Sequence, residues 1–505
     1  MATRHVGSGA GMIATLLILF AVLMACQYTP RRRRTFAPID ALDTPLLWWT
    51  KDDCLTVRNL IRNVILFGAT GSGKTMFSGY ELGRAIVSNP RSAMLIIAAK
   101  PGEDRELWLP IYQEFNRELL LFGPRHDLRF NAIDYEYRQG ADARSITKYL
   151  MQIGETLRSS DVKGSGDESD FWEREQERQL YYATVVVMLA FKRVSAPELQ
   201  RFINGAARSA EELGSDQWKS GFHNQAMAAA YKASKSRIEE HDYEIAAMYW
   251  LEEGPRMAEK TWSNITAGTL GLLHAINVGM VRDLISTETT VTPDVLFDGV
   301  SILVDAPAAE FGDTGNCLNA IWKLSAQRAI LRRQAKADDP AKIIWVDEAQ
   351  QVTNSFDAHF LAQCRSRKAG MVFLTQSIHS LYAAMKGKAG EHYTNALLTN
   401  FNTKIFHAVG DDQTANYAQS LIGRSMQTYI GGSVAPRQDK WDELIGHSQF
   451  TGSFSTRVER TIENNVFMNG LRTGGSSGVS DAIVIRSGEP FSNGENWLKV
   501  TFRRQ

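Results

Sequence analysis

The chain has 505 residues, enough for two or three domains that each bury a core. Its 56 basic residues balance its 56 acidic ones, so no global field draws it to nucleic acid, and such a contact would have to come from local patches or assembled subunits. Four scattered cysteines, Cys26, Cys54, Cys317 and Cys364, form no close pair, no metal spacing and no evident disulfide framework, which suits a reducing cytosol.

From Gly11 to Cys26 every residue is apolar or small except Thr15, and Ala10, Gln27 and Tyr28 extend the run towards the roughly 20 residues a helix needs to cross a bilayer. Arg31 to Arg34 follow at once. Positive charge after the apolar run holds the following chain in the cytoplasm, which predicts a single membrane anchor with a short external N-terminus. Leu23-Met24-Ala25-Cys26 also resembles a lipobox with Cys26 as the acylated residue. Phe36 to Arg62 is a lead-in with Pro38, Pro45 and an aromatic pair, Trp48 and Trp49, and no strong period.

Asn63 to Thr75 is an apolar run that breaks into glycines and ends in a lysine and a hydroxyl. Gly68-Ala69-Thr70-Gly71-Ser72-Gly73-Lys74-Thr75 fills the phosphate-loop pattern, with a strand predicted before it and a helix, from Lys74 to about Val87, after it. Glycines let consecutive backbone N–H groups curl around phosphate oxygens, and the helix adds the positive end of its dipole. Lys74 then reaches the β and γ phosphates, while Thr75 is a ligand for Mg2+. The pattern points to a nucleoside triphosphate such as ATP, and export through a lipobox would separate it from cellular ATP.

Ser92 to Ala98 reads as a second buried strand, ending in Lys100-Pro101-Gly102-Glu103-Asp104, and Glu118 to Phe122 as a third. Strand, helix, strand is the unit of a parallel sheet. Between Thr147 and Val291 strand signals fade. A polar stretch from Ser159 to Asp170 reads as a linker, and helices are predicted over Phe171 to Arg193, from Ser195, over Asn224 to Lys235, over Tyr243 to Leu251 and over Thr261 to Ile276. Ser195-Ala196-Pro197-Glu198 has capping-box spacing with proline in the first turn. Strands return at Gly299 to Asp305, Lys342 to Asp347, Gly370 to Thr375 and Thr403 to His407, with a helix from Asn316 to Arg333. Gly470 to Gly478 reads as a mobile tail, and Trp497 to Phe502 as a strand at the sheet edge. The predicted division is 1–35 anchor and basic flank, 36–150 first part of a nucleotide-binding domain, 151–290 helical insert, and 291–505 second part with a C-terminal tail.

Ile343-Ile344-Trp345-Val346-Asp347-Glu348 ends a buried strand in two acids. Asp347 is placed to complete a magnesium shell and Glu348 to polarise an attacking water as general base, although such a run alone is also a common strand end. Gln376, after Thr375, could contact the γ phosphate, or be an ordinary loop residue. Arg365-Ser366-Arg367-Lys368-Ala369-Gly370 is either a solvated helix end or the source of an arginine for a neighbouring subunit's nucleotide.

The phosphate loop, Trp345-Val346-Asp347-Glu348, Arg367-Lys368-Ala369-Gly370 and Thr375-Gln376-Ser377, in this order with a helical insert and an N-terminal anchor, resemble the TraG/TraD-type coupling proteins of conjugative type IV secretion. Phe297 to Pro307, Asn319 to Arg328, Thr403 to Asp411 and Leu421 to Gly423 strengthen the likeness, which covers most of Arg62 to Arg424. That family belongs to the FtsK/HerA class of hexameric DNA-pumping ATPases. The resemblance implies an α/β, RecA-like nucleotide-binding domain interrupted by an all-α domain that faces DNA, an inner-membrane location with the bulk of the chain cytoplasmic, and a homo-hexamer. It also implies single-stranded DNA, a relaxase with its relaxosome and the secretion channel as partners. Arg367 matches the trans-acting arginine and Gln376 the sensor. Many relatives carry two membrane helices where one is predicted here, and Lys100-Pro101-Gly102-Glu103 matches the family motif only loosely. The expected function is ATP-driven transfer of single-stranded DNA. A protein-secretion ATPase that does not touch DNA and a nucleotide-gated receptor with little hydrolysis are the competing readings.

Overall fold

Runs of four to seven apolar residues with few charges suit strands buried on both faces, and such strands assemble in parallel under covering helices. The computed structural model describes residues 41–157, 167–385, 390–436, 448–475 and 478–503. The proposed anchor, Cys26 and Arg31 to Arg34 lie outside them, as does most of the stretch from Ser159 to Asp170. Among the described residues no helix is long and apolar enough to cross a membrane. Residues 1–44 form one unit, of which the short turn Ala41–Asp43 is described, and residues 45–505 form the other.

The second unit opens with a small antiparallel pair, β1 (Pro45–Trp48) and β2 (Cys54–Thr56). The strands β3 (Val64–Phe67), β4 (Ser92–Ile97), β5 (Leu119–Phe122), β6 (Ser301–Val304), β7 (Ala341–Val346), β8 (Ala369–Thr375) and β9 (Thr403–Phe406) follow. β10 (Arg424–Pro436) and β11 (Ser448–Arg460) make a separate two-stranded ribbon, and β12 (Thr473–Gly474), β13 (Val479–Arg486) and β14 (Trp497–Arg503) complete the set. The main sheet has ten strands in the order β12-β13-β9-β3-β8-β7-β4-β6-β5, with β14 on β13. From β9 to β5 every pairing is parallel. β13 then adds antiparallel to β9. β3, which carries the phosphate loop, is therefore interior, and β8 separates it from the acid-bearing β7.

No strand falls between β5 and β6 among the described residues. The predicted helices are there, as Asp167–Phe191, Ala196–Asn204, Phe222–Ala233, Arg237–Met248 and Glu259–Ala275. Ser195 caps its helix by accepting the Glu198 N–H, with Pro197 in the first turn. Buried side chains of these helices, among them Leu180, Phe202 and Trp250, share one continuous apolar cluster with Phe122, Trp322 and Ile344 of the sheet layer. Several segments depart from the sequence expectation, β10, β11 and β13 among them, since no strand is predicted there. Thr473–Gly474 of the Gly-rich tail pairs with β13, and the helix predicted from Asn316 begins at Ala308 with a break at Gly312, where φ is 54°.

One buried ion pair ties the segment after β7 to the long helix Ala308–Arg332. Lys323 and Asp357 are both fully buried, with Lys323 Nζ 2.6 Å from Asp357 Oδ2. Gln327 donates to Asp357 Oδ1 at 2.7 Å, the Asn354 N–H to Oδ2 at 3.0 Å, and Lys323 also donates to the Val352 carbonyl. Every polar atom of the carboxylate is thus engaged, and removing it strands a buried ammonium. Asp357→Ala is expected to destabilise the protein by about 3–5 kcal/mol, while Lys323→Met with Asp357→Leu recovers most of that loss. Urea unfolding midpoints of the three proteins check it.

Candidate active site

The phosphate loop hangs from both neighbours of β3. The Gly68 N–H donates to the Thr375 carbonyl at the end of β8 (3.3 Å), and the Ala69 N–H to the Ala408 carbonyl just past β9 (2.9 Å). Thr70 and Gly71 at the crown are exposed. Gly71 and Gly73 have φ of 76° and 93°, a left-handed backbone that glycine adopts without strain. At Gly73 space matters as well, since a Cβ there would lie 2.5 Å from Ser480 Oγ. Ser72 Oγ is buried with no hydrogen-bond partner. After Gly73 the helix starts as a wide π-helical turn, Lys74–Gly79, before regular α-helix over Tyr80–Ser88.

Lys74 is 6% exposed, and its Nζ lies 3.6 Å from Glu348 Oε1. Thr75 Oγ1 donates to Asp347 Oδ2 at 3.4 Å. These contacts bring together the two segments singled out in the sequence, 272 positions apart. Asp347 is buried at the carboxyl end of β7. Burial pushes its pKa up, while Lys74 and Lys100 oppose that shift. Glu348 takes a left-handed backbone (φ 46°, ψ 54°), uncommon for a residue with a side chain. Its N–H donates to Asp347 Oδ1 at 2.9 Å. Gln376, exposed at the end of β8, donates to both Glu348 oxygens at 3.3–3.4 Å.

Two residues join the site that the sequence reading passed over. Gln350 donates to Glu348 Oε2 at 2.6 Å and accepts from Thr375 Oγ1 at 3.0 Å, so it clamps the acid to the neighbouring strand. Its proximity to Glu348 in sequence was the available signal. Asp104 is buried, accepts the Ala99 and Lys100 N–H groups at 2.9 Å, and is pushed up to about 7, first by burial and then by the charge of Asp347. Lys100, left without a role in the sequence, ion-pairs with Glu103 at 3.6 Å and exerts its field on Asp347.

Arg367 is not brought to this cluster within the subunit. It ends the short turn Cys364–Arg367 ahead of the amino end of β8, a strand of seven residues. At about 3.3 Å per residue that is roughly 20 Å from Thr375.

Free loop N–H groups, a buried lysine, and a hydroxyl and a carboxylate oxygen side by side suit a polyphosphate and a hard divalent cation. Strand, glycine loop, helix and an acid-tipped partner strand in a parallel sheet resemble the class of the P-loop nucleotide-binding proteins.

The comparisons narrow the class. Residues 343–464 match the family described as the TraM recognition site of TraD and TraG. No curated protein matches the sequence. Among solved structures, the bacterial conjugative coupling protein TrwBdeltaN70 in its unbound form superposes with a TM-score of 0.58 at 13% identity, covering 90% of this chain and 87% of that one. The plasmid coupling protein TrwB with the GTP analogue GDPNP gives 0.57 at 14% identity, covering 90% and 88%. TrwB with ADP and Mg2+ gives 0.56 at 14%, covering 90% and 87%. The resemblance to TraG/TraD-type coupling proteins thus holds in the sequence match over 343–464 and in the fold of the chain.

The two left-handed glycines separate conformation from space. Gly71→Ala, with no atom within 4 Å of a new Cβ, is expected to lose only the ~1–2 kcal/mol of the backbone preference. Gly73→Ala should lose a further ~1–3 kcal/mol from the clash with Ser480, read as the gap between their urea midpoints.

Proposed function

We propose that this chain is an ATP-hydrolysing coupling protein. It would be anchored in the bacterial inner membrane through 11–26 with its bulk in the cytoplasm, and would pass single-stranded DNA with its attached relaxase to a type IV secretion channel. The observation that carries this reading is the meeting of Lys74, Thr75, Asp347, Glu348 and Gln376 at one carboxyl edge of a parallel sheet. The family match over 343–464 and the nucleotides named for TrwB support it.

In this reading the loop N–H groups of Thr70, Gly71, Gly73, Lys74 and Thr75 and the Lys74 ammonium hold the phosphates of ATP, while those of Gly68 and Ala69 anchor the loop to β8 and β9. Thr75 Oγ1 and Asp347 would hold Mg2+, which neutralises phosphate charge when bound. Glu348 takes the proton of the attacking water, and Gln350 and Gln376 fix its carboxylate. Arg367 lies far from its own subunit's loop, and in a homo-hexamer it would serve the next subunit's ATP. The helical insert, 151–290, would be the all-α domain that faces the DNA, and relaxosome proteins would dock on the segment 343–464. A motor indifferent to sequence grips the backbone through charge and stacking.

ATP hydrolysis, measured with and without single-stranded DNA for the wild type and Lys74→Ala, tests the proposal. DNA should stimulate the wild type in a salt-dependent way, and Lys74→Ala should lower the rate about a hundred-fold or more. Hydrolysis indifferent to DNA would favour a protein-secretion ATPase, and negligible hydrolysis under every condition a nucleotide-gated receptor. Mixing Arg367→Ala with Lys74→Ala subunits should restore part of the activity at mixed interfaces, and no recovery would remove Arg367 from action in trans.

A further inference from the structure

His407 lies beneath the phosphate loop and is fully buried. It directly follows β9, and its backbone N–H donates to the Phe67 carbonyl at 2.9 Å. Its ring Nε2 is 2.6 Å from Ser78 Oγ and its Nδ1 is 3.1 Å from Ser480 Oγ, on β13. Each hydroxyl is also in reach of a carbonyl of the loop. Ser78 Oγ donates to the Lys74 carbonyl at 3.2 Å, and Ser480 Oγ to the Ser72 carbonyl at 3.0 Å. These two carbonyls flank Gly73, where the loop turns into the helix.

A trans peptide is planar, with its C=O and N–H pointing in opposite directions. Holding the Ser72 and Lys74 carbonyls on the histidine side therefore aims the Gly73 and Thr75 N–H groups the other way, out of the buried bracket. The charged groups acting on the ring are Lys74 and Asp481, and burial lowers its pKa to about 4, so the imidazole is neutral with a single N–H. A neutral ring donates to one hydroxyl and accepts from the other. The hydroxyl that gives its proton to the ring has none left for its carbonyl, so the tautomer decides which of the two carbonyls is held.

We propose that His407 is a positioning residue for the phosphate loop: acting through Ser78 and Ser480, it holds the Ser72–Gly73 or the Lys74–Thr75 peptide, according to its tautomer, and ties the loop to β13. The inference rests on the nucleotide-binding reading above. Binding of ADP with magnesium, measured by calorimetry, and the KM and kcat of ATP hydrolysis test it in His407→Phe, His407→Gln and Ser480→Ala, alongside thermal unfolding without nucleotide. His407→Phe and Ser480→Ala should each weaken ADP binding about ten-fold, as expected for one buried hydrogen bond, with KM rising more than kcat falls. His407→Gln should recover part of the loss, and the double variant His407→Phe/Ser480→Ala should bind no worse than either single one, since both act on one chain of bonds. Should His407→Phe not fold, Ser480→Ala carries the test. Wild-type affinity in Ser480→Ala, or a loss matched by lower thermal stability with KM unchanged, would overturn the role of His407. Failure of the wild type itself to bind ADP would instead overturn the reading beneath it.

Discussion

The phosphate loop depends on being suspended between two strands at once. Backbone N–H groups that face a polyphosphate cannot also be spent on the loop's own regular structure, so the loop needs outside support at its root. Here the Gly68 and Ala69 N–H groups are taken by carbonyls at the ends of β8 and β9. Only an interior strand of a parallel sheet has neighbours on both sides whose carboxyl ends arrive at the same level. The burial of β3, β8 and β9 on both faces is thus what makes a flexible glycine sequence into a fixed cradle.

The acid pair on β7 is organised from the same direction. β8 lies between β3 and β7, so Thr375 and Gln376 at its end sit between the loop and the acids. Thr375 supports the loop through its carbonyl and Gln350 through its hydroxyl, and Gln350 in turn holds Glu348. Glu348 is kept in a left-handed backbone that costs about 1–2 kcal/mol. Its contacts with Lys74, Gln350 and Gln376 offset that strain and leave its carboxylate aimed at the loop.

What could be read in the sequence was what is local. The phosphate loop, its strand and the acids after β7 are each contained in fewer than fifteen residues, and the buried strands announced themselves by unbroken apolar runs. Strand order is not local, so nothing in the sequence shows that β8 lies between the loop-bearing strand and the acid-bearing one. β13 was hidden by the glycines and serines before it and by Asp481 within it. The β10–β11 ribbon was hidden by Gly431, Gly432 and Pro436. Gln350 and Asp104 needed their neighbours in space to become meaningful. The contact of His407 with Ser480 spans 73 positions, which no window could join.

The hydrogen bond from Ser480 to the Ser72 carbonyl joins positions 408 apart in the chain. On the ribosome the glycine segment would emerge early and wait for its last support. At about 5–20 residues per second that delay is roughly 20–80 s. Through that interval the nascent protein holds a phosphate-loop motif without the architecture that gives it shape, so the cradle is among the last features of the chain to mature.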